Sequence, residues 1–265
     1  MKKILSVCVL GLLPLISTAL LAEEAEQKTK FAGFELTGNL ALTNDYVSRG
    51  ISASDHGPAV QGTFNANHDS GFYVSLFASN VDFKNADGTA MELDPSVGYT
   101  KEWESGWSVD LGIIQYLYPF SSHPQLDPKT SHSANFNYRE YYLGTGYKIA
   151  ETSLKVKYYY SDDNMGLGNA SSYLDTQLAY EIPAQLPLKT TLKGHYGLAF
   201  GDYVSVPGRA QHISNYGDYS LGVAVDLPAG FGAELDYIGV DSDGRALNKD
   251  WQDDGRLVLS LTKSF

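Results

Sequence analysis

From Phe34 onward the chain alternates. Phe34, Leu36, Leu40 and Leu42 interleave with Glu35, Thr37, Asn39 and Thr43. Trp107, Val109, Leu111 and Ile113 do so with Ser108, Asp110 and Gly112, and Tyr219, Leu221, Val223, Val225 and Leu227 with Ser220, Gly222, Ala224 and Asp226. A period of two marks strands with one apolar face, whereas the 3.6-residue period of an amphipathic helix is hard to find. Such runs predict twelve strands, near 34–44, 58–68, 71–83, 90–100, 107–118, 137–148, 153–161, 172–182, 188–201, 217–227, 231–240 and 255–265. The third is the least regular, because both faces of "GFYVSLFASNVDF" carry aromatics.

The connections alternate in length. Short ones begin at Asp69, Lys101, Ala150, Pro183 and Pro228, long polar ones at Asp45, Pro119, Asp162, Asp202 and Asp241, and the link from Lys84 is intermediate. In an up-and-down barrel every second connection lies at the same end, so one rim has tight turns and the other long loops. This asymmetry predicts an all-β, transmembrane antiparallel barrel of about 12 strands, with short periplasmic turns and long external loops. A β-sandwich and a soluble lipocalin-like barrel also alternate strand and turn. The length of the alternating runs favours the membrane barrel, since a tilted membrane strand needs ~9–11 residues. So do the charged polar faces and the aromatics near strand ends: Tyr46, Tyr99, Trp103, Trp107, Tyr116, Tyr118, Phe120, Tyr141, Tyr147, Tyr180 and Tyr237, read as interfacial girdles. In the last run, Leu257, Leu259, Leu261 and Phe265 share the lipid-facing parity. They form the C-terminal signal expected for the barrel-assembly machinery. Lys263 has the same parity and is expected to snorkel at the rim.

The first 22 residues differ. Lys2 and Lys3 precede an apolar run interrupted by Pro14, and small residues close it, which is the pattern of a secretory signal peptide. Residues 23–33 then form a short periplasmic segment and 34–265 the barrel. Removing the signal takes away the single cysteine, Cys8, and both lysines. That leaves 17 basic residues (19 − 2) against 31 acidic ones, a net −14, with no disulfide framework. Such a charge makes nucleic acid a poor partner.

The stretch from Leu40 to Phe83, with "DYVSRGIS", "GPAVQG", "HDSGFY" and "ASNVDF", resembles the start of the TorF-type porins, also labelled Gcw_chp. "MELDPSVGY", "NYREYYLGTGY" and "SLTKSF" extend the resemblance to Phe265. It implies a bacterial outer-membrane porin. It carries over no catalytic residue and no cofactor.

Within the first long loop, Asp45, Tyr46, Arg49 and Gly50 form a distinct motif. Arg49 is expected to fold inward onto lumen acids, with Gly50 supplying the turn. "HDSG" at His68 reads as a tight turn. His123, Asp127 and His132 share a loop, and "SDDN" at Ser161 and "DSDG" at Asp241 are oxygen-rich, but none has a ligand spacing that specifies a metal site. All three read as solvated loops. Strand parity assigns the lumen-lining charges. Lys155, Lys157, Lys189, Lys193 and His195 form a basic sector, moderated by Asp175 and Glu181. Glu35, Glu92, Asp94, Asp110, Glu140, Glu234 and Asp236 line the remaining wall. A one-residue slip would put a lysine on the lipid face at ~2–4 kcal/mol near the midplane. Two arrangements fit: an internal ion-pair network, or a transverse field across a water-filled pore. Twelve strands tilted ~40° enclose a backbone radius of about 12 Å. Residues 119–136 are a candidate plug. The expected partners are outer-membrane lipid, lipopolysaccharide and small solutes. Expected activity is passive diffusion of small hydrophilic solutes rather than catalysis, with a pore-less barrel of structural or surface-interaction role as the alternative and an outer-membrane enzyme as a weaker one.

Overall fold

The structure is a computed structural model. It describes residues 30–83, 89–119, 121, 136–164, 169–183, 186–204, 212–247 and 255–265. The proposed signal peptide, Phe120, His123, Asp127, His132 and nearly all of the candidate plug lie outside these residues.

Twelve long strands account for the fold: β1 (Phe34–Thr43), β2 (Ala59–His68), β3 (Phe72–Asn80), β4 (Met91–Glu102), β5 (Trp107–Tyr116), β6 (Tyr138–Ile149), β7 (Thr152–Ser161), β8 (Ser171–Glu181), β9 (Thr190–Val204), β10 (His212–Asp226), β11 (Phe231–Val240) and β12 (Arg256–Ser264). Each pairs antiparallel with the next, and β12 returns to β1. The sheet closes and none of these strands is left with an unpaired edge. The seam holds five residue pairs, from Asn39↔Ser264 to Thr43↔Ser260, against ten between β1 and β2. It is lengthened at both ends. Gly38 and Phe265 exchange backbone hydrogen bonds of 2.8 and 3.0 Å. The Asn44 side chain donates to Leu257 O and accepts from Leu259 N.

The short rim is shaped by residues with positive φ. Gly71 turns β2 into β3, and its own carbonyl then accepts from Thr100 N at 2.9 Å. Just before β1, Lys30–Phe31 folds back onto Phe34–Glu35. Lys30 donates to Asp69 at 2.5 Å, which raises the lysine's pKa and lowers that of the carboxyl.

The outer surface is apolar. Leu36, Leu42, Val60, Phe64, Leu143, Leu221, Leu257, Leu259, Leu261 and Phe265 are all exposed along it. The Phe265 ring covers Gly38 and meets Phe64 edge-on at 5.9 Å. Lys263, on the same parity, curls onto the rim, donating to Ala229 O at 2.6 Å above the Phe231 ring.

Two expectations need correction. Tyr46, Tyr116 and Tyr118 are not interfacial: all three are buried inside the barrel, because Tyr116 shares parity with inward Asp110 and Ile114, and Tyr46 rides on an in-folded loop. Asp241 does not begin a merely solvated loop. It caps a six-residue helix, α1 (Ser242–Leu247), by accepting from the backbone N–H of Asp243 and Gly244, and it also accepts from Gly217 N.

Candidate functional site: the barrel interior

Directly opposed residues on successive strands trace rows around the inner wall. One row runs Tyr73, Gly98, Gly112, Tyr142, Tyr159, Tyr173, Ala199, Tyr216. Its five tyrosines are buried. The glycines between them are required, since a Cβ at Gly98 or Gly112 would collide with the Tyr73 or Tyr142 ring. Neighbouring rings pack tilted at 5.8 and 6.3 Å. The adjacent row runs Asp110, Gly144, Lys157, Asp175, Gly197, Asp218. Here Lys157 reaches across Gly144 to Asp110 at 2.6 Å and lies over the Tyr142 ring. His195 stands between Asp175 (3.0 Å) and Asp218 (3.4 Å), and Tyr173 donates to Asp218.

The loop from Asp45 to Pro58 folds into this interior. Asp45 organises its base, accepting from Ser52 (2.6 Å), Ser54 (3.1 Å) and, from β12, Arg256 (2.8 Å). His56 joins Asp45 at 3.3 Å. At the tip, Arg49 and Gly50 both have positive φ, and a Cβ on Gly50 would strike Val240 and Asp218. Arg49 crosses the lumen from the β1–β2 side to the opposite wall. It donates to Glu140 on β6 at 2.7 Å and lies 4.4 Å above the Tyr173 ring on β8 and 5.4 Å from Tyr159 on β7. Glu140, 1% exposed, also accepts from Tyr116. Buried Glu92 adjoins Asp94, Tyr46 and Tyr118.

The remaining sequence-predicted charges occupy inward positions too. Lys193 is hydrogen-bonded to Glu234, beside buried Asp236. Lys189 lies 3.3 Å from Glu181 and 4.0 Å from Asp226 at the short rim. Glu35 faces inward near the same rim. Lysines on and beside β7 and β9 reach carboxylates of other strands, which is the arrangement of an internal ion-pair network. The strand pairing puts Lys157 two strands from Asp110 and Lys193 two strands from Glu234, so most cations meet a carboxylate locally. A cavity of about 550 Å³ runs from the short rim, at Glu102, Gly106 and Glu151, up to Arg49, Tyr159 and Tyr173 beneath the loop.

Sequence reading missed the tyrosine row and the role of Arg256. Each row member sits alone in its own strand, and only register brings the set together. Inward parity of Tyr73, Tyr142, Tyr159 and Tyr173 was the available signal.

The family model described as "Bacterial protein of unknown function (Gcw_chp)" matches residues 27–265. Among curated proteins, no sequence matches the chain. Among solved structures it is similar to the NanC porin, with a TM-score of 0.53 at 13% identity over 87% of this chain and 98% of that one. It is also similar to the KdgM porin, with a TM-score of 0.51 at 11% identity over 86% and 99%. At such identities the likeness is one of fold: a closed barrel of the outer-membrane porin type.

Proposed function

The chain belongs to the Gcw_chp family, and from that premise and its porin-type barrel we propose that it is an outer-membrane porin for passive diffusion of small hydrophilic solutes. The observation that carries the reading is the charge-lined cavity of about 550 Å³ inside a barrel whose apolar residues face outward. Such an interior stabilises water and polar solutes, and the outer face suits lipid. The "DYVSRGIS" segment supports the narrower TorF-type assignment. On this reading the barrel sits in the outer membrane among lipid and lipopolysaccharide, is inserted by the barrel-assembly machinery through its terminal strand, and neither catalyses a reaction nor uses a cofactor.

The in-folded loop favours a second reading, a pore-less structural barrel, because Arg49 and the tyrosine row occupy much of the lumen above the cavity. Unitary conductance of the purified protein in a planar bilayer separates the two. Discrete ohmic steps are expected from the porin. Silence under conditions in which the refolded barrel is inserted would overturn that reading.

A further inference from the structure

Lys155 differs from the other inward lysines. Lys157, Lys189 and Lys193 each lie within ion-pair distance of a carboxylate, whereas Lys155 has none among the described residues. It is partly buried on the cavity wall, two residues from Lys157 and near Lys193, with the carboxylates of Glu102 and Asp110 acting on it only from beyond ion-pair distance. An ammonium withdrawn from bulk water beside like charges is unfavourable unless an anion accompanies it.

Its surroundings form a cradle. In register, Lys155 stands between Gly146 on β6 and Gln177 on β8, and the row continues to Ser108 on one side and His195 on the other. Gly146 lets both neighbours close in over its backbone: a Cβ there would lie 2.6 Å from Ser108 Oγ and 3.5 Å from Lys155 Cγ, so the glycine is what allows the two side chains to approach. Ser108, Lys155 and Gln177 all face the cavity. Gln177 donates one amide hydrogen to Asp175 at 2.8 Å, leaving the other for a ligand.

We propose that Lys155, flanked by the Ser108 hydroxyl and the Gln177 amide, is a binding subsite for one oxyanionic group, a carboxylate or phosphate, of a small solute in the cavity. The proposal rests on the diffusion reading for its biological sense but not for its geometry. The acids at the short rim, Glu102 and Glu151, repel a free polyanion, so the site suits a solute with a single anionic group.

The test is calorimetric titration of the detergent-solubilised barrel at low salt, with inorganic phosphate and with acetate, each a single anionic group, as probes. Saturable binding of either probe is expected, phosphate alone marking a phosphoryl group and acetate alone a carboxylate. Lys155→Gln should weaken it at least tenfold, and Lys101→Gln, at an exposed cation, should leave it within twofold. Lys155→Gln should also keep the thermal midpoint, since it breaks no ion pair among the described residues. A wild type that binds neither probe, or a Lys155→Gln protein that binds as the wild type does, overturns the subsite. So does a Lys155→Gln protein with a lowered midpoint and unchanged binding, which makes the lysine structural. Conductance is measured in parallel. A conducting barrel without binding removes the subsite and keeps the porin; a binding barrel that never conducts does the reverse.

Discussion

Replacing Arg49 by methionine keeps much of the side-chain volume and removes the charge that spans the barrel. Three contacts are lost: the 2.7 Å hydrogen bond to Glu140 and the positions over Tyr173 and Tyr159. Glu140, 1% exposed, would keep only Tyr116 as a donor among the described residues. Removing one partner of a buried pair costs about 3–5 kcal/mol, because the other charge stays buried and uncompensated. The desolvated cation–π contacts contribute on the order of 1–2 kcal/mol more. Urea unfolding of the vesicle-reconstituted barrel should therefore show a loss of about 4 kcal/mol or more. Adding Glu140→Gln to Arg49→Met should restore a large part of it, since the orphaned charge is then gone. Asp45 still holds the loop base through Ser52, Ser54 and Arg256, so only the tip is released. Unitary conductance of Arg49→Met should rise and become noisier. A single variant within about 1 kcal/mol of wild type would refute the energetic argument. A destabilised variant with wild-type conductance would show that the tip does not set the width of the path.

Deleting Phe265 removes the ring over Gly38 and two seam hydrogen bonds, and should sharply reduce heat-modifiable barrel in the outer membrane while export of the precursor continues; normal barrel levels would contradict it. A cysteine at Ser242 on the long-loop rim should react with an impermeant thiol reagent on intact cells, and one at Ser70 in the short rim should not; the opposite result inverts the topology. Changing Lys155, Lys157, Lys189 and Lys193 together to Gln should move selectivity towards cations. The shift should fade as the Debye length falls from ~10 Å at 0.1 M salt to ~3 Å at 1 M, and a conducting wild type whose selectivity ignores the change would exclude a role for these charges in permeation.

All twelve strands were legible because alternation and a turn announce each one locally, least cleanly in β3, where both faces carry aromatics. Buried Glu140 and exposed Leu143 on β6 follow the same alternation. What depends on pairing between distant strands was not legible. That Lys157 meets Asp110, and that five tyrosines share one row, follows from register, which no single strand encodes. Tyr116 and Tyr118 lie near a strand end yet face inward, because strand parity and not closeness to the rim sets which way they point. The loop at Asp45 carried a visible motif, but its route across the lumen depends on partners as remote as Arg256. Asp241 looked solvated because a cap and an acidic loop share the same composition.

The union of Asp45 with Arg256 ties the first loop to the last strand, across 211 positions of sequence. Asn44 and the seam join the same two ends of the chain. The loop base therefore has no complete set of partners until β12 has docked on β1, whereas the tip's partners on β6, β7 and β8 exist earlier in chain order. The strand that closes the circumference is thus also the one that holds the foot of the loop bracing the interior, so the closed wall and the fully bonded brace each complete the other.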